Sequence, residues 1–189
     1  MRRAPRKIPQ RRRIFLGCEG ESERSYGVLL GRLVETRHRR VHVDAVVLQP
    51  GGGDPLALVE LAARQARRRA DLGEDYAFKA VLLDGDTTGR TPERDVKVAG
   101  TAERNGLLLI WQIPCHEALI LRHLDGCAAL RPTSSARALE ELQRRWPGYR
   151  KALPAVELAA RLDEEAVLRA AATESALASL LTALEFGRD

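Results

Sequence analysis

Four short apolar runs, each followed by a stretch of helical periodicity, constrain this chain more than any other feature. The runs lie at about 13–18, 41–48, 78–84 and 107–113, and have the length and branched apolar content of buried strands. The segment after the first, at about 22–37, sets Tyr26, Leu29, Leu30, Leu33 and Val34 on one helical face. After the second, Asp54 is placed as N-cap and Pro55 as first residue of a helix reaching about Ala70, with Leu56, Val59 and Ala63 inward. Pro92 opens a third helix to about Asn105, and Gly106 stops it. Strands that return in the same direction need such crossovers, so the expected fold is α/β with a four-stranded parallel sheet flanked by helices.

Beyond Pro114 the pattern is helical only. CHEALILRHL turns Leu119, Ile120 and Leu124 toward the sheet and ends at Gly126. Helices follow at about 134–145, 155–171 and 173–186, separated by RPTSS and WPGYRKALP. The last, alanine-rich helices complete a core or a dimer contact. The expected division is a flexible basic arm over 1–12, an α/β domain over 13–128, and a helical extension over 129–189 packed on the same core.

Several classes are set aside at once. A chain of 189 residues with 44% hydrophobic content suits one core. No window approaches the roughly 20 apolar residues of a membrane span, and the basic N-terminus lacks a signal-type apolar stretch, so a cytoplasmic protein without membrane partners is expected. Cys18, Cys115 and Cys127 are odd in number and lack CxxC spacing, which reads as small buried hydrophobes. The absence of GK(S/T), GxGxxG and HExxH motifs, and of a Ser/His/Asp order, argues against a standalone ATPase, a dehydrogenase and a peptide or ester hydrolase.

Acids collect where two of the strands end. RRIFLGCEGESE closes on Glu19, Glu21 and Glu23, and FKAVLLDGDT on Asp84 and Asp86. Open α/β sheets bind ligands at the carboxyl ends of their strands, and hard divalent cations take carboxylate oxygens there. Gathering like charges raises their pKa values unless a cation binds, so such a site should depend on metal. Asp84 and Asp86 converge only if Gly85 lets the chain turn. Other readings stand beside this one. Asp84 and Asp86 also suit a turn and cap before TTGRTPE, Glu19 a salt bridge to an N-terminal arginine, and Glu21 and Glu23 the first turn of a helix. PGGGDP is a plain turn or a backbone contact for phosphate. His116 and His123, seven apart, suit structural roles better than metal ligation, and His38 and His42 carry no assigned chemistry.

The net charge is +5 with pI near 9.5, and the cations are mostly arginine. Arg2, Arg3, Arg6, Lys7, Arg11, Arg12 and Arg13 crowd the first 13 positions, and Arg64, Arg67 and Arg68 share the second helix. Guanidinium groups suit phosphate, so nucleic acid is the expected partner, against the plainer alternative of ordinary solvated helix faces.

Four of these elements in order resemble the RloB-like proteins of the wider TOPRIM group. CEGESE is similar to a CEG-x-(S/T)-E signature, LLDGD to a D-x-D strand end, IPCHEALILRHL to a Pro-Cys-aromatic-Glu-hydrophobic segment, and WPGYRKAL to a later Tyr-x-Lys element. The resemblance covers about residues 12–151. It implies a TOPRIM-like, Rossmann-like fold and a Mg²⁺-dependent (or Mn²⁺-dependent) nuclease acting on DNA or RNA in anti-phage defence or abortive infection, beside a partner protein of the defence system. Glu19, Asp84, Asp86 and Glu117 would bind metal, and Glu23 would complete the catalytic acids. His116 departs from the pattern, standing where an aromatic residue is usual. Topoisomerases of this fold use a tyrosine on another domain, and the tyrosines here are Tyr26, Tyr76 and Tyr149, so strand passage is not expected. The alternative function is a non-catalytic nucleic-acid or partner-binding subunit, or a sensor, of a defence complex.

Overall fold

A computed structural model of the chain describes residues 11–49, 53–73, 75–86, 89 and 91–187. The basic arm before residue 11, residues 50–52 of the PGGGDP turn and most of TTGR lie outside the described residues. The elements run β1 (Arg12–Cys18), α1 (Glu21–Thr36), β2 (Val41–Val47), α2 (Pro55–Ala70), β3 (Phe78–Asp84), α3 (Pro92–Arg104), β4 (Leu108–Gln112) and α4 (His116–His123). Four more helices follow: α5 (Ser135–Arg145), α6 (Ala155–Leu158), α7 (Glu164–Ala171) and α8 (Ser175–Ala183). The strands form one parallel sheet in the order β2-β1-β3-β4, the α/β architecture that the alternation implies.

Side chains alternate across a strand, and here both faces are covered, which is why the strands read as continuous apolar runs. Ile14, Leu16 and Cys18 of β1 join Ala80 and Leu82 of β3 in a core shared with α1, α4 and the C-terminal helices. Phe15, Val81 and Leu83 face the other way, into a smaller core closed by α2 and α3. Leu142, Leu162, Val167, Leu177 and Leu184 lie in the first of these cores, so the extension is packed on the sheet domain itself.

Local chemistry accounts for most helix ends. The Asp54 carboxylate accepts from the Ala57 N–H at 3.0 Å, with Pro55 first in α2, as the sequence predicts. The expected single helix over 155–171 is instead two helices. Asp163 caps a new start, accepting from the Ala166 N–H at 2.8 Å, and its extended backbone breaks the helical path between α6 and α7. Likewise α4 stops at His123, three residues before Gly126, because Leu124 turns to extended backbone and buries its side chain.

Gly27 lets α1 approach the sheet. A Cβ there would stand 2.9 Å from both the Ala45 Cβ and the Leu16 Cδ2, and the former is fixed to the β2 backbone. Glycine to alanine inside a helix ordinarily gains up to about 1 kcal/mol, but overpacking of this kind costs about 1–3 kcal/mol. Gly27→Ala should therefore lower the midpoint of thermal unfolding by a few degrees, and an unchanged or raised midpoint would show that the interface yields.

Candidate functional site

In the order β2-β1-β3-β4 the chain leaves β1 toward one edge and β3 toward the other, so the sheet's switch point lies between the carboxyl ends of β1 and β3. A crevice opens at such a point, and acids from both strand ends meet there. Glu19 directly follows β1, and its Oε2 accepts from the Asp84 N–H at 3.0 Å. Asp84 ends β3, and its Oδ1 accepts from the His116 N–H at 2.8 Å, at the amino end of α4. Glu23, in the first turn of α1, accepts from the Gly20 N–H at 3.0 Å. Glu117, in the first turn of α4, is 3% exposed, and Glu23 is 5% exposed. Three connections of the sheet thus bring four carboxylates together.

The pKa values of Asp84, Glu19 and Glu23 are all raised. Asp84 is pushed up to about 8, chiefly by burial, then by the charges of Glu23 and Glu19, with the His116 N–H opposing. Glu19 is raised by burial, against the Asp84 N–H, with smaller contributions from Glu23 and Asp86. Glu23 is raised by burial and by Glu117, while backbone N–H groups and Lys151 act the other way. Compensating positive charge is scarce. Among the described residues the one lysine or arginine within ion-pair distance of the four acids is Lys151, whose Nζ stands 3.7 Å from Glu117 and whose side chain is two-thirds exposed.

His116 does not make up the deficit. Its Nδ1 lies 3.9 Å from Glu23, yet burial pulls its pKa down to about 4, so the ring is neutral. The buried Gln112 amide hydrogen-bonds the same Nδ1 at 2.8 Å, leaving Gln112 Oε1 without a partner among the described residues. His116 packs edge-on against Tyr26, with centroids 5.9 Å apart. His123 also packs edge-on against Tyr26, at 5.3 Å, and uses Nδ1 toward the Leu119 carbonyl, which leaves Nε2 to accept from the Tyr26 hydroxyl at 3.0 Å. Both imidazoles thus pack against the same tyrosine.

Asp86 stays exposed, and it reaches the cluster through its charge on Glu19. The chain bends at Gly85 between the two aspartates without a left-handed φ. The role of this glycine is steric: the Gly85 N–H bonds the carbonyls of Gln112 and Pro114, and a Cβ there would stand 2.7 Å from Ile113 Cγ1. Glu19 does not pair with Arg11, Arg12 or Arg13, the N-terminal arginines among the described residues. Arg11 goes to Glu35, Arg12 to Glu185 at 2.8 Å, and Arg13 to Asp44 and the Tyr76 hydroxyl. These arginines stand at the amino end of β1, about 20 Å along the strand from Glu19. Arg64, Arg67 and Arg68 lie on the C-terminal half of α2, near that same end. Exposed Glu21 pairs with Arg24 at 3.4 Å.

Lys151, Tyr149 and Gln112 belong to the site without being singled out as site residues by sequence reasoning. The Tyr-x-Lys spacing in WPGYRKAL is the one signal for the first two. Tyr149 is 4% exposed, and its hydroxyl pKa is driven up by burial and by the charges of Glu117 and Glu23. The loop carrying Lys151 is tied to α1 by the Ala152 N–H, which donates to Ser22 Oγ at 2.9 Å, and Ala152 holds a φ of +55°. A left-handed non-glycine residue costs about 1–2 kcal/mol, so the contacts around it hold Lys151 in place.

The donor set is all oxygen and carries excess negative charge, as a hard divalent cation requires. Among the described residues no three acids, histidines or cysteines form a ready-made metal cage. Mg²⁺ does not need one, because it keeps several waters and binds through one or two carboxylates. Asp84 and Glu19 each commit one oxygen to a backbone N–H, and the second oxygen has no hydrogen-bond partner among the described residues. The residues present therefore fit a hydrated Mg²⁺. No helix among the described residues is long and apolar enough to cross a membrane. No family model, curated protein or solved structure matches the chain.

Proposed function

We propose that this chain is a Mg²⁺-dependent nuclease, active also with Mn²⁺, of the RloB-like, TOPRIM-containing kind: a cytoplasmic enzyme that hydrolyses phosphodiester bonds of DNA or RNA in bacterial defence, beside a partner protein that restrains it. The observation that carries this reading is the meeting of Glu19, Glu23, Asp84 and Glu117 at the switch point, with the exposed Lys151 ammonium the one lysine or arginine in ion-pair contact among the described residues. Glu19 and Asp84 would hold the ion through their open oxygens, and Glu117 and Asp86 would support it. Bound there, a divalent cation supplies charge stabilisation at the phosphate and a more acidic water.

The chain's own groups do the positioning. The His116 N–H orients Asp84, the Asp84 N–H orients Glu19, and Glu23 completes the acidic wall. Lys151 is exposed enough to leave Glu117 and meet a phosphate oxygen as a point charge. The second reading is a binding subunit or sensor that cuts nothing. It is favoured by the same backbone hydrogen bonds, which give Glu19, Glu23 and Asp84 structural work without any metal.

Incubating the purified chain with labelled single-stranded DNA, duplex DNA and total tRNA, in Mg²⁺, Mn²⁺ or EDTA, separates the two. The expected result is cleavage in either metal, none in EDTA, and a loss of at least about 100-fold in Glu19→Gln. Binding without cleavage, or cleavage that survives EDTA and the substitution, would sink the nuclease reading.

A further inference from the structure

At the end of the sheet remote from the acids, two shallow cavities of about 330 and 310 Å³ adjoin one another and share Ala66, Arg67 and Lys79 as walls. Arg104, at the end of α3, lines the second, and Asp75 is the one carboxylate in either lining. We infer that this strip is a docking surface for the sugar-phosphate backbone of a nucleic acid, formed by Arg67, Lys79 and Arg104 and flanked by Arg64 and Arg68.

The first argument is that these cations are unspent. Among the described residues none of the five lies within ion-pair distance of a carboxylate, whereas Arg69, next along the same helix, is paired with Asp44 at 3.3 Å. Arg67 contacts only the Ala63 carbonyl, Lys79 Nζ the Asn105 carbonyl at 2.5 Å, and Arg104 the Thr101 hydroxyl at 3.0 Å. Neutral oxygens hold the cations in place and leave their charge uncompensated.

A plainer role would be to complement the carboxyl ends of α2 and α3. Each helix end carries only about half a negative charge, and Lys79 on the Asn105 carbonyl already serves one of them. Even with Asp71, Glu74, Asp75 and Glu103 all counted from the sequence, five cations stand against four acids. The surplus comes from three separate elements, α2, β3 and α3, meeting along one strip.

The continuity of the cavities suits an extended polyanion better than a single phosphate. Four of the five cations are arginines, whose planar fork takes phosphate oxygens two at a time. A protein partner would want an apolar centre to the interface, and the exposed residues that line the cavities, Arg67, Asp75 and Arg104, are charged. From Lys79 to Asp84 is about 17 Å along β3, so the strip and the carboxylate crevice are separate sites. The inference stands whether or not the carboxylates cut, because phosphate docking at this strip needs no metal.

Fluorescence anisotropy of a labelled single-stranded oligonucleotide, titrated in EDTA with the full chain, tests this apart from any cleavage. Arg67→Glu with Arg104→Glu should weaken binding about tenfold or more and flatten the salt dependence by about two in slope, close to one per lost phosphate contact. An equal charge reversal on α5, Arg137→Glu with Arg144→Glu, should cost less than about threefold, since that pair lies off the strip. Equal losses in both variants, an unchanged patch variant, or displacement of the oligonucleotide by polyglutamate as readily as by unlabelled strand would overturn the proposal. If the glutamate pair does not melt cooperatively, Arg67→Gln with Arg104→Gln decides, with a weaker expected loss of about threefold to tenfold.

Discussion

Replacing Asp84 with asparagine is expected to abolish Mg²⁺-dependent cleavage and, in the same protein, to stabilise the metal-free fold at alkaline pH. Asparagine keeps the Oδ1 acceptor for the His116 N–H, and the bond from residue 84 to Glu19 uses the backbone, so the local structure should survive. What goes is the negative charge. In the fold the Asp84 carboxyl titrates near 8, against an ordinary value of 3.8. Below about pH 4 the folded and unfolded chains both hold that proton, and this group makes no difference to stability. Between about 4 and 8 the folded chain keeps a proton that the unfolded chain has released, so unfolding loses a proton and stability falls as pH rises. Above about 8 the full penalty is present. Allowing for solvent screening and for the shared nature of the cluster, about 2 kcal/mol is a fair magnitude, or roughly 4–8 °C in melting temperature. Asp84→Asn should therefore melt higher than wild type in EDTA at pH 8.5 and match it near pH 4. Added Mg²⁺ should raise the wild type and leave the variant unmoved. A variant that melts lower at pH 8.5, or one that still cleaves at near wild-type rate, would remove Asp84 from the centre of the site.

The second large effect belongs to Arg122, a fully buried guanidinium at 1% exposure. It donates to the carbonyl of Ile113 before α4 and to the carbonyl of Leu130 after it, and lies 3.3 Å from the Glu174 carboxylate that precedes α8. One side chain thus ties the β4-to-α4 connection to the C-terminal helices. Burial lowers its pKa, with Glu174 acting in the opposite sense. Truncation takes the donor from two part-buried carbonyls, leaves Glu174 to Arg131 alone at 3.2 Å, and removes the packing of a fully buried side chain, together about 3–5 kcal/mol. Arg122→Ala should lower the melting midpoint by about 6–20 °C or prevent soluble expression. Arg122→Met, which refills the volume, should recover part of the loss through packing. A midpoint within a degree or two of wild type for Arg122→Ala would mean that the staple carries no weight.

The acids show where reading by pattern stopped. Glu19, Glu23, Asp84 and Glu117 each stood at a strand end or a first helical turn, so their positions followed from the elements alone. Their convergence did not. It needed β1 and β3 to be neighbours, and nothing local in the chain says whether β2 lies outside β1 or between it and β3. The same gap hid Lys151, brought to Glu117 by a loop 34 positions further along the chain. The salt-bridge alternative for Glu19 fails for Arg11 to Arg13 for a related reason: they precede it closely in sequence, but an extended strand carries seven residues about 20 Å, so sequence neighbours became opposite ends.

By itself, then, the sequence determined the alternation of four strands with helices, the caps at Asp54 and Pro55, the apolar faces and the strand-end placement of the acids. Each of these depends on backbone geometry and burial within a few residues. Only the tertiary structure decided the strand order, the steric reason for Gly85, the packing of two buried histidines against Tyr26, the split of the 155–171 segment and the separation of the cationic strip from the acids. Those depend on which distant surfaces meet, and the free energy that selects among such meetings is summed over the whole core, beyond the reach of any local pattern.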